Sequence, residues 1–192
     1  PADHWNYYDD GYCSDVTEKN VIQPLTSSKD DLKDAIDDLE AYGATSGALG
    51  TAWAWYMLSP NWSSIWTGAS APGSYSDLSA ESATGAPKLR KIAVLMSDGV
   101  YNTVRGWKDS DKETVSNDAV TLCTNMKAAG IEIYTVGFNL DELTPADRTR
   151  AENTLMSCGT DVSHFYNALN SAELQVHFRD IAMKLSTLFL AK

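Results

Sequence analysis

The chain is short of positive charge: 15 Lys and Arg stand against 26 Asp and Glu, a net charge of −11. That balance argues against non-specific nucleic-acid binding, which needs basic side chains to neutralise phosphates, and against docking on anionic lipid. No apolar run approaches the roughly 20 residues of a bilayer-spanning helix, so no membrane span is expected. No secretory leader is legible at Pro1, although a chain that opens without Met says little about the start of its parent. The three cysteines, Cys13, Cys123 and Cys158, have no CxxC spacing and no ligand-spaced histidine, which argues against zinc. If two of them pair, one is left over; the alternative is three buried thiols in a reducing compartment. His4, His164 and His177 lack a nucleophile elbow, a glycine-rich phosphate loop or a paired acid in any identifiable frame. They are expected to be surface or packed side chains, and the protein is expected not to be an enzyme.

At 192 residues and 43% hydrophobic content the chain suits one domain with a substantial core. Residues 1–20, rich in Asp, Tyr and Gly, form an irregular lead-in, and 21–192 the domain proper. Val21–Leu25 is short and extended. A helix is predicted from Ser27 or Ser28, a hydroxyl cap, with Asp30 and Asp31 favourable to its dipole. Leu32, Ile36 and Leu39 fall on one stripe, expected to be buried, and Gly43 is the expected stop. A second helix, Ser46 to Leu58, is apolar or small on most sides, which suits burial on more than one, and Pro60 ends it. Residues 61–87 are rich in Ser, Gly and Ala without a period and read as a long loop.

A regular alternation follows. Ile92–Met96 is a continuous apolar run, as expected of a parallel strand covered on both faces. A helix from about Glu113 to Ala129 is stopped by Gly130, and Ile131–Phe138 is the next strand. Thr144-Pro145 opens another helix, with proline at its favoured first position. Val162–Tyr166 is a third strand. The last helix starts at Asn170, where Glu173 completes a capping box, and carries Leu174, Phe178, Ile181, Leu185 and Leu188 on one stripe. This order predicts an α/β, Rossmann-like, doubly wound parallel sheet with helices on both faces.

In such sheets ligands bind beyond the carboxyl ends of strands. Asp98 follows the most apolar strand directly, and Gly99 after it permits a sharp turn; Asp-Gly after a strand is common as a plain turn, so alone the pair is a weak signal. Thr45, between the first two helices, offers a hydroxyl that has a simpler role as a helix cap. Together, a hydroxyl and a carboxylate above one sheet edge suit a hard cation. Among the six tryptophans, Trp62 and Trp66 in the long loop are candidates for a binding surface, whereas Trp53 and Trp55 are expected in the core.

The succession Pro24-Leu25-Thr26, helix, Gly43-Ala44-Thr45, Trp53-Ala54-Trp55, Ser97-Asp98-Gly99 and Gly130–Phe138 resembles a von Willebrand factor A domain. The subtype resembled is that of TadG-like bacterial pilus-assembly proteins. The likeness covers about residues 21–190, including Leu122-Cys123, Cys158 and the closing Leu174–Leu190 helix. It implies that Thr45 and Asp98 are second- and third-loop ligands of a metal-ion-dependent adhesion site. It further implies a disulfide between Cys123 and Cys158, with Cys13 free or paired outside the chain. The cation implied is magnesium, with calcium or manganese as alternatives, and it keeps an open position for an acidic group on a protein partner. The setting implied is the bacterial cell envelope, periplasmic or extracellular, with a pilus or envelope component as partner. A structural A-type scaffold with a non-functional metal site is the alternative.

The chain departs from the family at its first loop. Asp-x-Ser-x-Ser after an apolar strand is missing, and Asp77–Glu81 and Asp161–Phe165 match it only in part. Two residues cannot by themselves hold magnesium, which dehydrates reluctantly and demands six ligands in octahedral array. The expectation is that an upstream segment of the same parent, or another chain, supplies a strand beside Ile92–Met96 together with the remaining ligands.

Overall fold

The computed structural model describes residues 20–40, 45–82, 87–104, 107–108 and 111–187. Five helices and five strands follow in chain order: α1 (Lys29–Asp37), α2 (Gly47–Leu58), β1 (Lys91–Ser97), β2 (Thr103–Val104), β3 (Trp107–Lys108), α3 (Lys112–Ala128), β4 (Ile131–Phe138), α4 (Pro145–Cys158), β5 (Phe165–Ala168) and α5 (Ser171–Thr187). Strands β1, β4 and β5 form one parallel sheet in that order, while β2 and β3 pair as a short antiparallel ribbon. The register runs from Lys91↔Ile131 to Ser97↔Gly137, and from Thr135↔Phe165 to Phe138↔Ala168.

Helices cover both faces. On one, Ala93 and Leu95 of β1 and Ile131 and Ile133 of β4 pack with Cys123 and Met126 of α3, Cys158 of α4, and Ala54, Trp55 and Leu58 of α2. On the other, Tyr134 and Val136 meet Ile181, Leu174 and Leu185 of α5. Full burial of a side chain such as Ile133 or Val136 contributes about 1.5–3 kcal/mol each. Cys123 and Cys158 are bonded, with α-carbons 5.0 Å apart, and tie α3 to α4.

The ends of the elements follow local chemistry. Ser28 accepts from Asp31 N and caps α1, and Thr144 accepts from Asp147 N ahead of Pro145 at the start of α4. Asn170 Oδ1 accepts from Glu173 N at 3.0 Å and caps α5, while Glu173 Oε2 reaches one residue beyond the cap, to Leu169 N at 2.9 Å, so the box is a shifted one. Gly130, at φ +82°, takes the left-handed conformation that ends α3. The 60–82 stretch is more ordered than its composition suggests. It contains 3₁₀ turns at Pro60–Trp62, Gly68–Ser70 and Tyr75–Leu78. Buried Lys91 pins it, donating to Leu58 O at 2.7 Å and Gly73 O at 2.6 Å.

Four expectations need correction. The third strand is Phe165–Ala168, because Asp161 accepts from both Ser163 N and Ser163 Oγ and holds Val162–His164 in a 3₁₀ turn. Val162 is 84% exposed. The α1 stripe faces solvent among the described residues, with Ile36 65% exposed and Leu32 and Leu39 similarly open. That helix ends at Asp37, well before Gly43, which lies outside the described residues. Asp34 and Asp37 oppose the dipole in its last turn, and Asn20 draws the chain away through two bonds to the backbone of Glu40. Finally, β1 is buried on one face only: α5 reaches Ile92, but Val94 and Met96 are exposed and no described residue pairs with the outer edge of β1. Residues 1–19, with Cys13, and Leu188 lie outside the described residues.

Candidate functional site

Beyond the carboxyl end of β1, the hydroxyl of Ser97 accepts from Gly99 N at 3.3 Å and donates to Gly99 O at 3.0 Å. This hydroxyl closes the turn. Gly99 does not adopt a left-handed conformation, and a methyl group on it meets open space, so the turn does not need a glycine there. Asp98 sits at the tip, exposed to solvent.

The loop that continues from Asp98 is fastened to the start of α2. Asn102 Oδ1 accepts from Thr45 N at 2.9 Å, and Asn102 N donates to Thr45 O at 3.0 Å, a reciprocal pair across 57 residues of sequence. Thr103 Oγ1 donates to the same Asn102 oxygen at 3.1 Å, and Ser46 Oγ donates to Thr103 O at 3.3 Å. The ring of Tyr101 lies against Gly47 so closely that a β-carbon there would come within 2.1 Å of it. The fold therefore joins the Thr45 loop to the Asp98 loop, through Asn102. Sequence reasoning passed over Asn102; its signal was an amide, donor and acceptor at once, on the loop that leaves the most apolar strand.

Helices α3 and α4 also begin at this edge, and their carboxylates are engaged. Asp111 accepts from Thr114 N at 3.1 Å and from the Thr114 hydroxyl. Asp147 receives Lys112 Nζ on both oxygens, at 2.9 and 3.0 Å, and the Lys112 ammonium holds its carboxyl below the usual range. Asp98, by contrast, has no hydrogen-bond or ion-pair partner among the described residues. Thr45 is half-buried, its backbone fixed to Asn102 further along the Asp98 loop, and the cap position of α2 falls to Ser46. Oxygen donors of this kind suit magnesium or calcium, but two are too few, and no group of three His, Cys, Asp or Glu side chains that could hold a metal occurs among the described residues.

The histidines lie elsewhere. His164 Nδ1 is 2.8 Å from Asp161 Oδ1 and its Nε2 3.3 Å from Glu132 Oε1, at the opposite, amino edge of the sheet. Glu132 also pairs with Arg90 and accepts from Tyr134 OH at 2.8 Å. Burial raises the Glu132 carboxyl, but these donors outweigh it and hold the group below the usual range. Tyr134 is pushed up to about 12 by burial and by that carboxylate. His177 Nε2 is 3.2 Å from Asn167 O, and His4 lies outside the described residues.

No family model matches the sequence, and no curated protein matches it. The solved structures include a counterpart: the pilus adhesin SpaC from Lactobacillus rhamnosus GG superposes with a TM-score of 0.53 at 11% sequence identity. The chain shares a fold with a pilus adhesin. The match covers 82% of this chain but only 21% of the adhesin, so the shared part is a fifth of that protein. At this identity the likeness concerns the fold alone. No helix among the described residues is long and apolar enough to cross a membrane.

Proposed function

We propose that this chain is a von Willebrand factor A-type binding module of a bacterial cell surface, non-enzymatic, that recognises a protein partner through a divalent cation. In this reading Thr45 and Asp98 supply two oxygen ligands, and a strand lying beside β1 supplies the first loop with the rest. The observation that carries it is the reciprocal Thr45–Asn102 pair, which fastens the second ligand loop to the loop bearing an exposed carboxylate with no partner among the described residues. The edge of β1 that no described residue pairs with, and the exposed side chains of Val94 and Met96, support an additional strand there. A buried strand pairs on both sides and is covered on both faces, and among the described residues this one is paired on one side and covered on its second face only at Ile92. The shared fold with a pilus adhesin supports a surface setting and an adhesive or pilus-related role.

Titration calorimetry with magnesium or manganese on the intact parent protein tests the proposal. The expected result is saturable binding that Asp98→Ala weakens at least about tenfold with an unchanged circular dichroism spectrum, since Asp98 is exposed. Equal affinity in the variant would remove Asp98 from the site. The second reading, a scaffold of the same fold with no working cation site, draws on the lack of a three-residue metal-binding group among the described residues. It predicts no binding heat in either protein.

A further inference from the structure

Helix α2 presents two sides. Ala48, Ala54, Trp55 and Leu58 pack inward, whereas Leu49, Trp53 and Tyr56, spaced by four and three, form a stripe away from that core. On this stripe Tyr56 stacks on Trp62 with ring centroids 4.1 Å apart and planes at 16°. Trp53 meets both edge-on, at 5.6 and 5.9 Å, and the Trp66 indole N–H donates to Tyr56 O at 3.1 Å. Trp53, Tyr56, Trp62 and Trp66 belong to none of the four buried clusters. Leu49 on the stripe is 50% exposed, and Ile65, between the two loop tryptophans, is 61% exposed. From Ala41 to Ser76 the chain has no Asp, Glu, Lys, Arg or His, although the whole carries a net charge of −11.

We propose that this aromatic face is the docking site for a second copy of the chain, in a two-fold dimer. Two copies that approach through other surfaces set acid against acid, a cost that grows at low salt. This segment brings no charge of its own to the contact. A two-fold contact places a patch on its own equivalent, so an apolar aromatic patch is its own complement. Trp and Tyr at the centre with charge depleted is the composition of interface cores. The rings are already ordered against one another, so docking immobilises few free side chains. The proposal does not rest on the cation site, which lies at the carboxyl edge of the sheet.

Sedimentation equilibrium of the intact protein, from about 1 to about 500 μM, tests it. The expected result is a reversible dimer whose dissociation constant rises at least about tenfold in Ile65→Glu and in Leu49→Glu, each of which sets like charges face to face. Raising salt tightens the wild-type dimer, because the repulsion it screens lies between like-charged copies. Val162→Glu, at the exposed amino edge of the sheet, leaves the dimer unchanged. Ile65→Ser gives a smaller loss in the same direction and keeps the test open if the charged variants misfold. A monomer throughout the range overturns the proposal. So does a dimer indifferent to both Ile65 and Leu49, or one broken by Val162→Glu alone, which would assign self-pairing to the amino edge of the sheet.

Discussion

Removing the Cys123–Cys158 bond by Cys123→Ala with Cys158→Ala is expected to cost about 4–6 kcal/mol. The bond closes a loop with a sequence separation of 35. On the chain-entropy model, a loop of that length restricts the unfolded chain by about 4 kcal/mol at 25 °C. Both cysteines are fully buried against α3, α4 and the central strand, so truncation also leaves two small voids, together on the order of 1–2 kcal/mol. Urea unfolding followed by tryptophan fluorescence is a suitable assay, because Trp55 packs on this same cluster. With a slope of about 2 kcal/mol per molar urea, the midpoint should fall by about 2–3 M. Wild-type protein in strong reductant should approach the double variant. A midpoint shift below about 0.5 M would refute the reasoning, since it would mean that the unfolded chain is not restricted by the loop.

Other outcomes follow from particular contacts. Gly47→Ala drives a methyl group into the Tyr101 ring and should cost about 1–3 kcal/mol, with a matching loss of cation affinity as the Thr45–Asn102 pair is displaced; calorimetry and magnesium titration read the two effects. Lys91→Met leaves Leu58 O and Gly73 O without their donor and should lower stability by about 1–3 kcal/mol, with faster proteolysis between Pro60 and Leu78. Asp161 is held at about 2 by the Ser163 hydroxyl, the His164 ring and the Ser163 amide, so a carboxyl titration by NMR should find its midpoint there and move upward in Ser163→Ala. Because this value is depressed in the fold, the stability it contributes is present above the ordinary Asp value and lost as pH falls from about 4 toward 2.

Most helix ends were legible because they depend on short-range chemistry, and the strand order because successive right-handed crossovers set consecutive strands side by side. Ser28, Thr144-Pro145, Asn170 with Glu173, and Gly130 each act within a few residues of themselves, and each does in the fold what its type predicts. Burial is different, since it depends on what stands opposite. Leu32, Ile36 and Leu39 have the period of a buried stripe yet lie open among the described residues, and Val94 and Met96 are as apolar as Leu95 but exposed there. The missed 3₁₀ turn at Val162 shows the same limit at short range: a stretch read as the start of a strand is held in a turn by one aspartate that bonds Ser163. At the candidate site, residue types suggested Thr45 and Asp98, but the link between their loops is Asn102, a residue whose role depends on a contact 57 positions away. Trp53 was expected in the core with Trp55; the helix turns them to opposite sides, and Trp53 joins Trp62 instead.

Residue-resolved hydrogen exchange along Lys91–Ser97 in the intact parent protein tests the central claim most directly. In a parallel ladder only alternate amides of β1 bond to β4, and the others point to the outer edge. If a further strand completes the sheet and carries the missing ligands, every amide from Ile92 to Ser97 should be protected, and magnesium should slow exchange at Asp98 and Gly99 further. Protection that alternates, with the outward amides exchanging like free peptide and no response to magnesium, would contradict the account.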